Sequence, residues 1–413
     1  MSTEPSVLRV ETPVTFASRR AETGMMALAL YCAAHFFIDL YSSALGAFQP
    51  ILVDKLHMSL TQAGWLGAMM TFSGSFVQPA YGFLSDRYHS RLFTALAPAA
   101  SGLFISMIPL STSFGMALGL VAVGAAGIAS FHPQASARAT LGIQAHRGRW
   151  MAVFISCGSL GLAIGPVFFS AIITSAGAGR TYLAAIPGLL MTLVLLAALP
   201  EGPRSQSAGK KLDLAPLVAV WRPLTILYLL VFLRSAVQIT YGQFLPLYLH
   251  RERGLPLVDS SLALTIYLTA GAVGGFIGGH MADRFGGKRV IQVSMLACVP
   301  FLALFFYSSG WVSMLSLAAG GLMLLFTVPV NVVMAQELAP SQAGTVSALM
   351  MGFAWGFAGL IFIPLTGFIA EHSSLHFALG MLTICPLVGF FFTFLLAKDS
   401  PSDRHLTPVA ELR

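Results

Sequence analysis

The stretch "AHFFIDLYSS", residues 34–43, holds a histidine and an aspartate four positions apart inside an otherwise apolar run. On a helix, His35 and Asp39 share one face. A bare carboxylate at mid-membrane depth costs about 2.5–3.5 kcal/mol even on the lenient insertion scale, so Asp39 must face a cavity, find a partner or carry a proton. One reading makes Asp39 a proton-coupling residue with His35 beside it; the other makes it a structural acid in a fixed polar pair. Arg234, in "VFLRSAVQITYGQF", is the one cation deep in an apolar run, and Gln238 follows it by four on the same face. A guanidinium offers a planar fork suited to phosphonate, phosphate or carboxylate. Asp39 and Arg234 are expected to meet in one chamber, where Arg234 holds an anion while Asp39 is protonated; a permanent Asp39–Arg234 salt bridge is the bland alternative. His132 precedes Pro133, which leaves a backbone carbonyl one turn earlier without its donor. That histidine is either a third proton-coupling group or a satisfier of local backbone. Tyr41, Gln78, Gln243 and Asn331 are further polar side chains placed for substrate binding, and Phe36, Phe37 and Trp355 either supply an apolar wall for an amphiphilic molecule or face lipid.

The elements that carry these residues are set by composition. Of 413 residues, 56% are hydrophobic and only 9% charged, against roughly 25% charged in a soluble protein. Apolar runs of about 20 residues without alternation mean membrane helices, not a β-barrel. Cutting at charged and Gly/Pro-rich breaks gives twelve spans, the second over 60–84. With both termini in the cytosol, 18 Lys and Arg fall on the inner side and 4 on the outer, with Arg234 in a span; that bias fixes the orientation expected. The first residues lack a short apolar core with a cleavage site and read as a cytosolic tail. The four cysteines fall in apolar runs, read as buried free thiols, and show no metal-type spacing.

The halves echo each other. "GFLSDRYHSR" and "GGHMADRFGGKR" put Asp86 and Asp283 197 positions apart, and Pro166 and Pro364 repeat at 198. Two motif pairs at nearly one offset argue for a duplicated six-helix unit. The expected layout is an all-α membrane protein of twelve transmembrane helices in two pseudo-symmetric six-helix bundles. Its parts are a tail (1–24), an N-terminal bundle (25–199), a linker (200–222), a C-terminal bundle (223–397) and a second tail (398–413), with a substrate site between the halves.

These features resemble the major facilitator superfamily over essentially the whole chain. The two loops quoted above look like its repeated G-x-x-x-D-R-x-G-[RK]-[RK] motif, although the first copy reads "YHSR" where the usual pattern has glycine and basic residues. The resemblance implies a conformational latch at Asp86, Arg87, Asp283 and Arg284, with Glu337 joining it. "GSLGLAIGP" is similar to the antiporter motif G-x-x-x-G-P, which places a helix bend or a close helix contact at Gly161, Gly165 and Pro166. "HFFIDLYSSALGAFQPILVDK", "GIASFHPQASARA" and "MAQELAPSQAGTVSALMMGF" look like the fosmidomycin resistance branch, with Phe131-His132-Pro133 the most distinctive piece. That branch implies proton-driven export of a phosphonate-type drug, an inner-membrane location and a monomer.

No phosphate-loop pattern, HExxH or triad is present, so an enzyme or nucleotide-driven pump is not expected. The expected partners are a small-molecule substrate and membrane lipid, not nucleic acid. Protons serve as coupling ion, with no cofactor and no resident metal. The competing readings are a proton-coupled importer of an organic anion, and a metal-ion permease using His35, Asp39 and His132 as ligands.

Overall fold

The structure is a computed structural model that describes residues 13–88, 90–141, 143, 146–199 and 215–396, with side chains from 24 onward except those of 86, 147 and 148. Among the described residues, eleven helical stretches are long and apolar enough to cross a membrane: Gly24–Lys55, Leu92–Leu110, Phe114–Arg138, Arg149–Ala176, Ala178–Ala198, Trp221–Arg251, Leu257–Phe285, Gly287–Tyr307, Gly310–Leu338, Pro340–His372 and Leu375–Leu395. They are spans one and three to twelve. Span two runs over two helices, Leu60–Ser75 and Gln78–Tyr88. Among the described residues no β-strand occurs. The chain is therefore the expected all-α membrane protein of twelve helices in two pseudo-symmetric bundles. The linker residues 200–214 lie outside the described residues.

The break in span two has a local cause. Pro79 cannot donate to a carbonyl one turn back and disfavours a helical residue before it. The Gln78 amide instead donates to the Gly74 carbonyl at 2.7 Å. The facing span is irregular at the same level: residues Leu349–Phe353 of span eleven form a π-helical turn. Phe76 packs edge-on against Phe353 and Phe357, with ring centroids at 5.6 and 4.9 Å.

From that level toward Leu60, the two halves close on each other. A Cβ on Gly64 would lie 2.9 Å from the Ile363 carbonyl oxygen, and one on Gly367 2.3 Å from that of Leu60. Span one meets span seven at Gly46, where a Cβ would reach within 2.2 Å of the Gly242 oxygen. Such contacts are possible only because glycine lets backbones approach. Polar bonds cross the seam at this end. Arg251 donates to the Asp54 carboxylate at 2.5 Å, and the Thr61 amide donates to Glu371 at 3.1 Å. Asp54 and Arg251 are 197 positions apart, the offset of the sequence repeat. They are equivalent positions facing each other near the pseudo-symmetry axis, where opposite charges attract and identical ones would repel. Large apolar side chains such as Trp311, Phe276, Leu193 and Phe391 remain exposed around the bundle, as a lipid-facing surface requires.

Candidate functional site

The site begins at the contact of spans one and five, which run in parallel. Gly158, Gly161 and Gly165 form one face of span five. A Cβ on Gly161 would sit 1.9 Å from the Phe36 carbonyl oxygen, and one on Gly165 2.4 Å from that of Leu40. The antiporter-like motif therefore acts here as a close helix contact. The helix runs on from Arg147 through Pro166 to Ala176.

That close contact positions His35. Its Nδ1 lies 2.9 Å from the Phe154 carbonyl oxygen of span five, and its ring stacks on Phe154 at 4.3 Å. A carbonyl oxygen only accepts, so Nδ1 carries hydrogen. Nε2 faces Asp39 Oδ2 at 3.3 Å. In a neutral imidazole this Nε2 is a bare lone pair pointing at a carboxylate, so the contact is attractive only with a proton between the two atoms. The other carboxylate oxygen, Oδ1, lies 3.7 Å from Nε2 of His132 on span four. Side-chain exposure falls from 25% at His132 to 19% at Asp39 and 9% at His35. The three expected proton-coupling residues are thus one cluster, graded from its open side to its buried side. Span four stays helical through Pro133; Ser136 donates to the His132 carbonyl at 2.6 Å, and the His132 ring turns to Asp39 and not to the backbone. The donor atoms of the three lie within 4.8 Å of one another, a spacing that a divalent cation also accepts.

Arg234 occupies the other half and does not meet Asp39. Among the described residues it has no ion pair. One guanidinium nitrogen donates to Gln238 and another to Ser235 Oγ at 3.1 Å, while Nε is buried without a partner. The expected Asp39–Arg234 pairing is therefore corrected: both oxygens of Asp39 face imidazoles of its own half, and Arg234 is held by its own helix. Tyr267 of span eight lies in electrostatic range of Arg234, with a buried hydroxyl that has no partner. Among the described residues, buried Asn331 finds no partner for either amide atom, nor does Gln243 Nε2.

Two further residues take other roles. The Tyr41 hydroxyl donates to the Ala184 carbonyl at 2.8 Å and accepts from the Gly188 amide at 2.9 Å, tying span one to span six. Gln78 serves the break in span two. Of the expected latch, Arg87, Asp283, Arg284 and Glu337 are exposed and form no ion pair among the described residues, and the side chain of Asp86 lies outside them. The halves are joined at the other end, by Asp54–Arg251 and Thr61–Glu371. Cys32 and Cys157 are only half-buried, unlike Cys298 and Cys385. Trp355 is 37% exposed.

Sequence reasoning missed Phe154, Gly158 and Tyr267. Phe154 acts through a backbone oxygen, which leaves no mark in sequence. Gly158 could have been found, since it extends the glycine face of Gly161 and Gly165 by one turn. Around His132, Gln134 accepts from Thr94 and donates to Ser85 and to the Ser90 carbonyl, a buried network that braces this part of span four.

Comparison with known proteins agrees with this architecture. The chain is 29% identical over 402 residues to the fosmidomycin resistance protein of Escherichia coli (strain K12), covering 94% of this chain and 96% of that one. It superposes on a bacterial homologue of the human lysosomal transporter spinster with a TM-score of 0.79 at 13% identity, covering 90% and 96% of the two chains. The nucleoside transporter NupG gives a TM-score of 0.77 at 14% identity, covering 90% and 100%. The profile of the Major Facilitator Superfamily matches residues 31–362 and 227–412. Twelve helices, a repeated half and this match together place the chain in the major facilitator superfamily, to which it belongs.

Proposed function

We propose that this protein is a proton-coupled antiporter of the inner membrane that exports a small anionic or zwitterionic drug or metabolite, a fosmidomycin-like phosphonate being the first compound to test. The observation that carries the reading is the bracketing of Asp39 by the Nε2 atoms of His35 and His132. The bond from His35 Nδ1 to Phe154 holds the inner imidazole so that Nε2 shares a proton with Asp39, and the more exposed His132 is the group through which the proton leaves in this conformation. Arg234, with an unpartnered Nε and with Tyr267, Gln243 and Asn331 also unpartnered, supplies donors for an anion in the opposite half. The similarity to a fosmidomycin resistance protein supports export.

In the orientation given by the Lys/Arg bias, both termini are cytosolic and the Asp54–Arg251 end faces outward. This conformation is then closed to the outside. Proton loss from the triad to the cytosol and substrate binding precede opening of that end; proton uptake from outside accompanies release. Asp86, Arg87, Asp283, Arg284 and Glu337 engage in the opposite state.

The test is a susceptibility screen in a pump-deficient host, phosphonates included, paired with internal pH in proteoliposomes. Protection by wild type with loss in Asp39→Asn supports the reading. Co-movement of substrate and protons in one direction would make the protein an importer. Transport of a divalent cation without an anionic substrate would make it a metal-ion permease.

A further inference from the structure

The glycine face between spans one and five has a third rung that the transport reading does not use. Gly161 lies over Phe36 and Gly165 over Leu40, pairs separated by one and the same sequence offset. One turn further toward the start of both helices, that offset pairs Cys157 with Cys32. Phe154 and His35, bonded at 2.9 Å, each lie three positions from this pair and hold the two helices together there, and the two thiols are near enough to act on each other. Both cysteines are half-buried, so a small oxidant reaches them, whereas Cys298 and Cys385 are buried in the other half.

We infer that Cys32 and Cys157 are an oxidisable thiol pair that closes to a disulfide joining the first and fifth spans. A disulfide needs Cα atoms about 4.4–6.8 Å apart, and two helices whose backbones touch through glycine one and two turns away bring facing residues into that range. With a peroxide as oxidant, one thiol attacks the O–O bond and becomes a sulfenic acid, releasing water. The second thiol attacks that sulfur, forms the S–S bond and releases a second water. Two electrons and two protons leave the thiols, and the peroxide is reduced to two waters. Both cysteines lie in one half, so the link does not bridge the surface along which the halves meet. It fastens the two helices that hold His35 against Phe154, and it diverts oxidation beside the triad away from polar sulfinic acid.

The experiment treats the full-length protein in proteoliposomes with hydrogen peroxide, alkylates the remaining thiols under denaturing conditions and maps the peptides by mass spectrometry. The expected result is a linked Cys32–Cys157 peptide pair, a fall from four alkylatable thiols to two, and reversal by dithiothreitol. In Cys32→Ser the linked pair is absent and Cys157 carries sulfenic or sulfinic acid. Four free thiols after treatment, sulfinic acid at both positions of the wild type without a link, or a link only between two chains would each overturn the inference.

Discussion

His35 Nδ1 and the carbonyl oxygen of Phe154 lie 2.9 Å apart, joining span one to span five beside Asp39. This bond fixes which nitrogen of His35 can exchange a proton. A hydrogen bond to a charged group is worth about 1.5–3 kcal/mol, so His35→Asn should lower proton-driven transport by roughly tenfold or more. His132 is farther from Asp39, at 3.7 Å, and His132→Asn should cost less than His35→Asn. Initial rates in proteoliposomes under a fixed pH gradient check the order; a larger loss in the His132 variant would reverse the assigned roles.

A methyl group on Gly158 would sit 2.5 Å from both Asp39 Oδ2 and His35 Nε2. Gly158→Ala should therefore push the pair apart, alter the dependence of transport on pH and leave folding largely intact. Gly161→Ala meets a backbone oxygen, which cannot step aside, and should instead reduce thermal stability and yield. Transport per folded molecule, measured with melting by size-exclusion chromatography, separates the two effects. A normal pH profile in Gly158→Ala would show that the triad tolerates the added volume.

The Asp54–Arg251 pair is well exposed, with side-chain exposures of 61% and 39%, so its coupling energy should fall within about 0.2–1 kcal/mol. Asp54→Asn and Glu371→Gln should each loosen the closed end. A reporter placed as Ile363→Cys, in a background without native cysteines, should then be alkylated faster by up to about fivefold, the factor that 1 kcal/mol allows. The double exchange Asp54→Arg with Arg251→Asp should restore the slow rate. Equal labelling in all variants would remove these bonds from the gate.

Much of this was legible from sequence, for physical reasons that differ by residue. Twelve spans follow from run length, and the repeat from two motif pairs. Asp39, His35 and His132 stood out because polar groups in apolar helices need partners. His35 is the expected neighbour of Asp39, but the expected meeting of Asp39 with Arg234 does not occur. Depth matching through the repeat places Arg234 near the level of Asp39 but says nothing about which way either side chain turns, and each is held within its own half. Tyr41 and Gln78 were read as cavity groups because sequence cannot distinguish a free hydroxyl or amide from one committed to a backbone carbonyl. The break in span two was also missed as a break, although Gln78-Pro79 marks it.

Arg234 presents a buried Nε without a partner while its other nitrogens bond Gln238 and Ser235. Arg234→Lys keeps the charge but loses the fork, so affinity for an anionic substrate should fall by roughly tenfold, the factor set by about 1.4 kcal/mol, with the proton step unchanged. Equilibrium binding to detergent-solubilised protein reads this directly. Unchanged affinity would remove Arg234 from the substrate site.

The most direct measurement is the internal pH of proteoliposomes when a transported substrate is added, compared between wild type and Asp39→Asn. The account predicts a substrate-evoked proton movement opposite to the substrate in wild type and none in Asp39→Asn, which still binds substrate. An equal proton movement in both would contradict the role of Asp39.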